Sequence, residues 1–179
     1  MIFDGHRFAT PAAHYPHSLL CHTYSKQLLA PGQRLGWLAM APSMPDKNTM
    51  RLALMTCAIS SAIGAPDSIM QYALPEIHAL SIDIGRLQRR RDRMVEALRE
   101  MGYELHVPEA TFYLLPRSPV PDSRTFATRL AQRDVFVLPG RAVEMPAHFR
   151  ISLTATDDMI DRALPVFAEI REEMLIAGS

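Results

Sequence analysis

The sequence predicts an α/β protein in two parts: a first part of two antiparallel strands and a helix (residues 1–66), then a long connecting helix and a small α/β sandwich (residues 67–179). Three observations predict it. Two apolar runs, SLLCHTY (Ser18 to Tyr24) and RLGWLAMA (Arg34 to Ala41), flank a turn-like APGQ. A helical pattern then runs from Asp67 to Gly102 with one proline, Pro75, inside it. Beyond Gly102 short strand-like and longer helix-like segments alternate.

Each element has a local reason. Residues 1–17, with Pro11 and Pro16, read as an irregular lead-in. In Ala30-Pro31-Gly32-Gln33, proline presets the second position of a turn and glycine accepts the positive φ of the third, which predicts a type II turn and an antiparallel return. Ser43 can cap and Pro45 suits a first helical turn, so a helix is expected from there to a stop at Gly64. Asp67 opens the long helical region; a kink or break is expected at Pro75, and the helix resumes to end at Gly102. Tyr103–Val107, Thr111–Pro116, Val135–Pro139 and Phe149–Leu153 read as strands. Asp122 caps a helix through Arg133, and Asp157–Ile176 is a closing amphipathic helix.

Composition removes several classes of function. With 48% hydrophobic residues, no net charge and a pI near 7.1, nothing calls for nucleic acid or a membrane as partner. The arginine-rich run Arg86 to Arg93 is interleaved with acids and reads as a solvated helix face. Cys21 and Cys57 lie in apolar runs without metal-type spacing and read as buried, reduced thiols; the loop histidines His6, His14, His17 and His22 show no ligand spacing, so no metal is expected. The N-terminus has no continuous apolar stretch of the secretory kind, and a cytoplasmic protein is expected.

Of the 19 basic residues all but Lys26 and Lys47 are arginine. In HTYSKQLLAPGQRLGW, Lys26 follows the hydroxyls of Thr23 and Ser25, with Arg34 eight residues on. If the strands reverse, the two cations meet at one strand end. Each disfavours the charged form of the other, and a partly neutral lysine is a nucleophile toward carbonyls. The same cations with hydroxyls between them form a seat for a phosphate dianion. From spacing alone, however, two solvated surface charges are the favoured reading of Lys26 and Arg34.

The stretch resembles the lysine signature of the class I and II aminotransferases, pyridoxal-phosphate enzymes with the aspartate-aminotransferase fold (fold type I). That pattern has a hydroxyl residue, a small residue before the lysine, and an arginine eight positions later followed by an apolar residue and glycine; here these are Thr23, Ser25, Lys26, Arg34, Leu35 and Gly36. Thr23 replaces the more usual Ser or Gly and keeps the hydroxyl. FRISL, Phe149 to Leu153, resembles the strand whose arginine pairs with the substrate α-carboxylate, a role that falls on Arg150. EATFYLLP resembles a small-domain strand, with Ala110 near the position of a frequent glycine, and VLPG (Val137 to Gly140) resembles the loop leading back toward the active site.

The resemblance implies pyridoxal 5'-phosphate as cofactor, Lys26 as its catalytic attachment point, Thr23 and Arg34 as its phosphate contacts, Ser25 as a further cofactor-binding residue, and Arg150 as the substrate contact. It implies amino group transfer between an amino acid and a 2-oxo acid by a homodimer. It also implies that the chain corresponds to the C-terminal half of such an enzyme: residues 1–66 would be the C-terminal remnant of the large cofactor-binding domain, and residues 67–179 the connecting helix and small domain. The family's aspartate for the ring nitrogen and tyrosine for the ring hydroxyl would lie before Met1. A chain inactive alone is therefore expected. The sequence leaves open a longer aminotransferase, a non-catalytic remnant, one half of a split enzyme, and other fold-type I chemistry such as decarboxylation or β-elimination. Residues 1–66 are expected to fold poorly alone and the remainder well.

Overall fold

Leu19–Thr23 (β1), the four-residue helical turn Tyr24–Gln27 (α1) and Gly36–Met40 (β2) make the first folded feature of the chain, in a computed structural model that describes residues 1–61 and 66–177. β1 and β2 are antiparallel, with Leu19 opposite Met40 and Thr23 opposite Gly36, as the two apolar runs predict. The reversal between them is built differently from the expected type II turn. Pro31–Gln33 forms a single 3-10 turn, and the left-handed residues are Leu29 (φ 52°) and Arg34 (φ 49°) rather than Gly32. The connection is long enough to hold α1 as well, so its curvature is shared between two short turns instead of one tight one.

The chain divides into two units, Arg7–Ile82 and a second made of Met1–His6 with Asp83–Ser179. In the first, Tyr24, Leu35, Ala41 and Met44 are buried. Its longest helix, Lys47–Ser60 (α2), buries no residue, and Leu52, Met55 and Ile59 are exposed by 66%, 57% and 77%. Ser43 does not cap α2: it sits in a turn closed by the Met44 N–H on the Ala41 carbonyl (3.0 Å), and Asp46 in the left-handed region precedes the helix. The expected stop at Gly64 lies outside the described residues. Cys21 and Cys57 are exposed in this chain, against the expectation of burial, because β1 and α2 carry apolar residues on faces that the unit itself does not cover.

The long helical region is three helices. Ser68–Tyr72 (α3) is capped by Asp67, which accepts from Met70 N–H at 3.0 Å; in Leu74–His78 (α4) Pro75 occupies the first turn, where its missing N–H costs nothing. The expected break is therefore present at Ala73, and proline starts the helix that follows it. The chain then leaves the helical conformation until Asp83, whose side chain accepts from Arg86 N–H at 2.8 Å and caps Ile84–Glu100 (α5). Gly102 ends α5 with φ 85°, its N–H on the Arg99 carbonyl and that of Tyr103 on the Leu98 carbonyl, both at 2.9 Å, which is the Schellman arrangement.

The second unit is a two-layer α/β sandwich. Tyr113–Leu114 (β3), Leu138–Pro139 (β4) and Phe149–Ser152 (β5) form an antiparallel sheet in the order β3-β5-β4, with Ser123–Ala131 (α6) and Asp157–Ala177 (α7) completing the helical layer. Tyr103–Val107 is not a strand: both edges of β5 are taken by β3 and β4, and this segment meets the end of β3 through the Glu104 carbonyl, which accepts the Arg117 N–H (2.8 Å). Alternation along the strands turns Phe112, Leu114, Phe149, Ile151 and Leu153 inward with Leu98, Phe126, Leu130, Phe167 and Ile170. Phe149 centres this core, its ring 4.9 Å from that of Phe126 and 6.0 Å from that of Phe167.

The division of the chain differs from the expected 1–66 and 67–179 at both ends. Helices α3 and α4 fall in the first unit, and Met1–His6 belongs to the second. Phe3 is fully buried, its N–H donates to the Glu109 carbonyl (2.7 Å), and Arg91 donates to the Asp4 carboxylate at 2.5 and 3.0 Å. The arginine run is therefore a solvated face only in part: Arg86, Arg89 and Arg93 are exposed, but Arg91 is not. Arg91 is buried, with its guanidinium carbon 4.8 Å from the Phe3 ring centre; Arg86 and Arg90 pair with Asp157, and Arg93 pairs with Asp161. Hydrogen bonds from Arg90 and Arg86 pull the Asp157 carboxyl down to about 2. No helix among the described residues is long and apolar enough to cross a membrane.

Candidate active site

Thr23 ends β1 in an extended conformation, and its Oγ1 accepts the Ser25 N–H at 3.2 Å, capping the turn that carries Lys26. The Tyr24 N–H donates to the Leu35 carbonyl at 3.1 Å, and the Thr23 hydroxyl lies 3.5 Å from the same carbonyl. The turn is thus tied to the residue after Arg34. Tyr24 is buried, with its hydroxyl 2.8 Å from His78 Nδ1, and Ser25 is buried beside it. Lys26 is exposed, and among the described residues its amine has no hydrogen-bond or ion-pair partner. The other lysine differs: the Lys47 ammonium donates to the Pro42 carbonyl.

Arg34 is the last residue of the reversal, held left-handed, and its guanidinium donates to the Pro31 carbonyl at 3.3 Å. Thr23, Ser25, Lys26 and Arg34 all lie in the loop that the Thr23–Gly36 pair closes, as the reversal predicts. Gly36 is required there for a reason spacing does not reveal. A Cβ on it would lie 2.4 Å from the His22 carbonyl oxygen. Beyond the turn, the His22 ring stacks on Trp37 (4.6 Å between centres, 13° between planes), and its buried Nε2 has no partner among the described residues.

Arg150 belongs to the other unit. It stands on β5 opposite Leu138, on the face turned away from the helices, and its guanidinium carbon lies 4.1 Å from the centre of the Tyr113 ring. It lines a cavity of about 770 Å³ together with Tyr113, Leu115, Arg117, His106 and His148. Most arginines of this unit are paired with acids: Arg91 with Asp4, Arg117 with Glu104, Arg129 with Glu173, Arg133 with Glu169. Among the described residues, Arg150 is the half-buried arginine left with neither a carboxylate nor a carbonyl acceptor. A half-buried guanidinium whose in-plane donors are unused can take a carboxylate.

Sequence reasoning did not find Tyr113, Tyr24 or His78 as parts of these sites. VLPG leads into a sharp turn in which Gly140 donates its N–H to the His148 carbonyl (2.8 Å) and the Ser123 hydroxyl (3.2 Å).

Known proteins resemble this chain over nearly all of its length. An LL-diaminopimelate aminotransferase from Dehalococcoides mccartyi is 29% identical over 96% of this chain and 45% of its own length. An aspartate/prephenate aminotransferase from Thermus thermophilus is 27% identical over 95% of this chain and 45% of its own. A crystal structure of an aminotransferase from Eubacterium rectale superposes with a TM-score of 0.87 at 25% identity, covering 96% of this chain and 43% of that one. The chain therefore spans just under half the length of the relatives it matches. The fold is that of the aspartate aminotransferases, and the family is pyridoxal-phosphate dependent. With the family model for aminotransferase class I and II matching residues 3–167, this chain belongs to the class I and II aminotransferases.

Proposed function

We propose that this chain carries the lysine-bearing half of a transaminase, one that moves an amino group between an amino acid and a 2-oxo acid. The observation that carries the reading is the unpaired Lys26 amine on a turn whose entry is fixed by Thr23 and whose exit leads to Arg34. The donor set fits pyridoxal phosphate: a primary amine for its carbonyl, and hydroxyls with a guanidinium for its dianion. The chemistry the cofactor supplies when bound is an electron sink for the bond broken at the substrate Cα. Thr23, Ser25 and Arg34 hold the phosphate. The Lys26 amine moves the Cα proton, and the in-plane donors of Arg150 hold the α-carboxylate.

The reading extends to the whole protein. Residues 7–82 correspond to the end of the large cofactor-binding domain, and the unit containing Arg150 to the small domain. Amino acid and 2-oxo acid are the substrates, and two copies assemble in the complete enzyme. The relatives' names point to dicarboxylic amino acids, LL-diaminopimelate and aspartate, as the first substrates to assay.

The test is cofactor trapping. Mixing the chain with pyridoxal phosphate, reducing with borohydride and mapping peptides by mass is expected to place the phosphopyridoxyl group on Lys26 and to lose it with Arg34→Ala. Equal labelling of Lys26, Lys47 and the N-terminal amine would sink the proposal. A second reading, in which a separate polypeptide supplies the remainder of the site, is favoured by the apolar side chains that α2 leaves in solvent. Transamination that appears only when the N-terminal half of a relative is added supports it.

A further inference from the structure

We infer that Tyr113 is a positioning residue for Arg150, holding its guanidinium by ring stacking so that the in-plane N–H donors stay free for a carboxylate. The inference rests on the reading of Arg150 as a carboxylate holder. It starts from register. Tyr113 pairs with Ser152 across the β3–β5 ladder, so Arg150, two residues earlier on β5, is its diagonal neighbour on the same face of the sheet. Diagonal positions on one face are within reach of an aromatic and a long side chain, and here the guanidinium carbon sits 4.1 Å from the ring centre. The other residues of these strands that flank the pair, Phe112, Leu114, Phe149 and Ile151, turn into the core and fix both backbones.

The chemistry explains why a ring and not an acid stands there. An arginine side chain has several rotatable bonds, and ordering it costs rotamer entropy that weakens any ligand it grips. An aspartate or glutamate neighbour would order it but would occupy the same N–H edges a substrate carboxylate needs. An aromatic face attracts the cation through its quadrupole and leaves those edges unused. Arg91 in the same unit shows the contrast. It stacks on Phe3 but is also closed by Asp4, Asp92 and the Pro108 carbonyl, and has no donors to offer. Arg150 has the ring and no acid, and it opens on the cavity that Arg117, His106 and His148 share.

The experiment titrates the full 179-residue chain with succinate, following the side-chain Nε–H resonance of Arg150 in a nitrogen-15 spectrum, assigned by its loss in Arg150→Lys. The resonance should carry a ring-current shift in the parent chain and in Tyr113→Phe, and should lose it in Tyr113→Leu. Succinate should bind the parent and Tyr113→Phe alike and bind Tyr113→Leu roughly 2- to 30-fold more weakly, the range expected for removing one cation–ring contact. Tyr113→Thr, which suits a strand, provides the same comparison should the leucine variant fail to fold. Unchanged succinate affinity in a folded Tyr113→Leu or Tyr113→Thr chain overturns the positioning role while leaving Arg150 as the carboxylate holder. No saturable shift in the parent, or equal binding by Arg150→Lys, overturns the reading of Arg150 and the inference with it.

Discussion

The backbone of Gly36 approaches the His22 carbonyl so closely that a side chain at position 36 would meet its oxygen at 2.4 Å. The two residues are diagonal neighbours where β1 and β2 converge on the Lys26 turn, one step from the Thr23–Gly36 pair. Backbone cannot move aside as a flexible side chain would. Gly36→Ala is expected to cost about 1–3 kcal/mol through forced separation of the strands. It should also abolish selective labelling of Lys26 by pyridoxal phosphate. Urea unfolding and peptide mapping read the two effects, and a Gly36→Ala chain that labels normally would refute the link.

Phe3 is fully buried in the unit that Asp83 begins. Phe3→Ala should therefore destabilise that unit by about 3–5 kcal/mol, as other buried aromatic truncations do. Arg91→Met, which keeps the stem and removes the guanidinium bonded to Asp4 and Pro108, should cost about 1–3 kcal/mol. Hydrogen exchange with peptide-level mass analysis, read in peptides beyond Asp83, distinguishes these losses from changes in residues 7–82.

Asp157 ties α5 to α7 through Arg90 (2.6 Å) and Arg86 (2.9 Å). Its carboxyl is held at about 2 against an ordinary 3.8, so the charged form is favoured by folding. A depressed carboxylate contributes stability that is complete above pH 4 and lost as pH falls toward 2. Asp157→Asn should be less stable than the parent at pH 6, and the gap should narrow below pH 4 and close near pH 2. Salt should shrink it as well, because Asp157 and Arg86 are exposed. A gap that stays constant across this range would count against the assignment.

Trypsin should cut first in residues 7–82, at Arg51 on α2, whose side chains are unburied, while Arg91 stays protected. Timed digestion with mass analysis of the fragments checks the order. Early cleavage at Arg91 with Arg51 intact is the outcome that contradicts it.

The lysine signature was legible because its parts are local: Thr23 caps, Lys26 follows one turn on, and Arg34 closes the reversal. The turn type was not, since Pro31 and Gly32 satisfy a type II turn and a 3-10 turn equally well, and the choice is made by α1 occupying the same loop. The break at Pro75 was legible, but its exact place was not, for a related reason. Proline breaks a helix from inside but begins one from its first turn, and only the end of α3 at Tyr72 decides which applies. Tyr113 was out of reach altogether. Its contact with Arg150 depends on the β3–β5 register, which joins residues far apart in the chain. Phe3 and Asp4 carried no signal for the same reason, their partners lying beyond residue 87.

Because Asp4 and Arg91 are bonded across 87 positions, everything from Arg7 to Ile82 is a closed excursion from a single body. The entropy of closing such a loop grows only with the logarithm of its length, about 0.6 kcal/mol for each doubling. Insertions or excisions within the excursion should therefore change the stability of the body it leaves by little. They would alter instead how long the chain searches before Phe3 finds its place, so a length change in residues 7–82 should register in the refolding rate long before it registers at equilibrium.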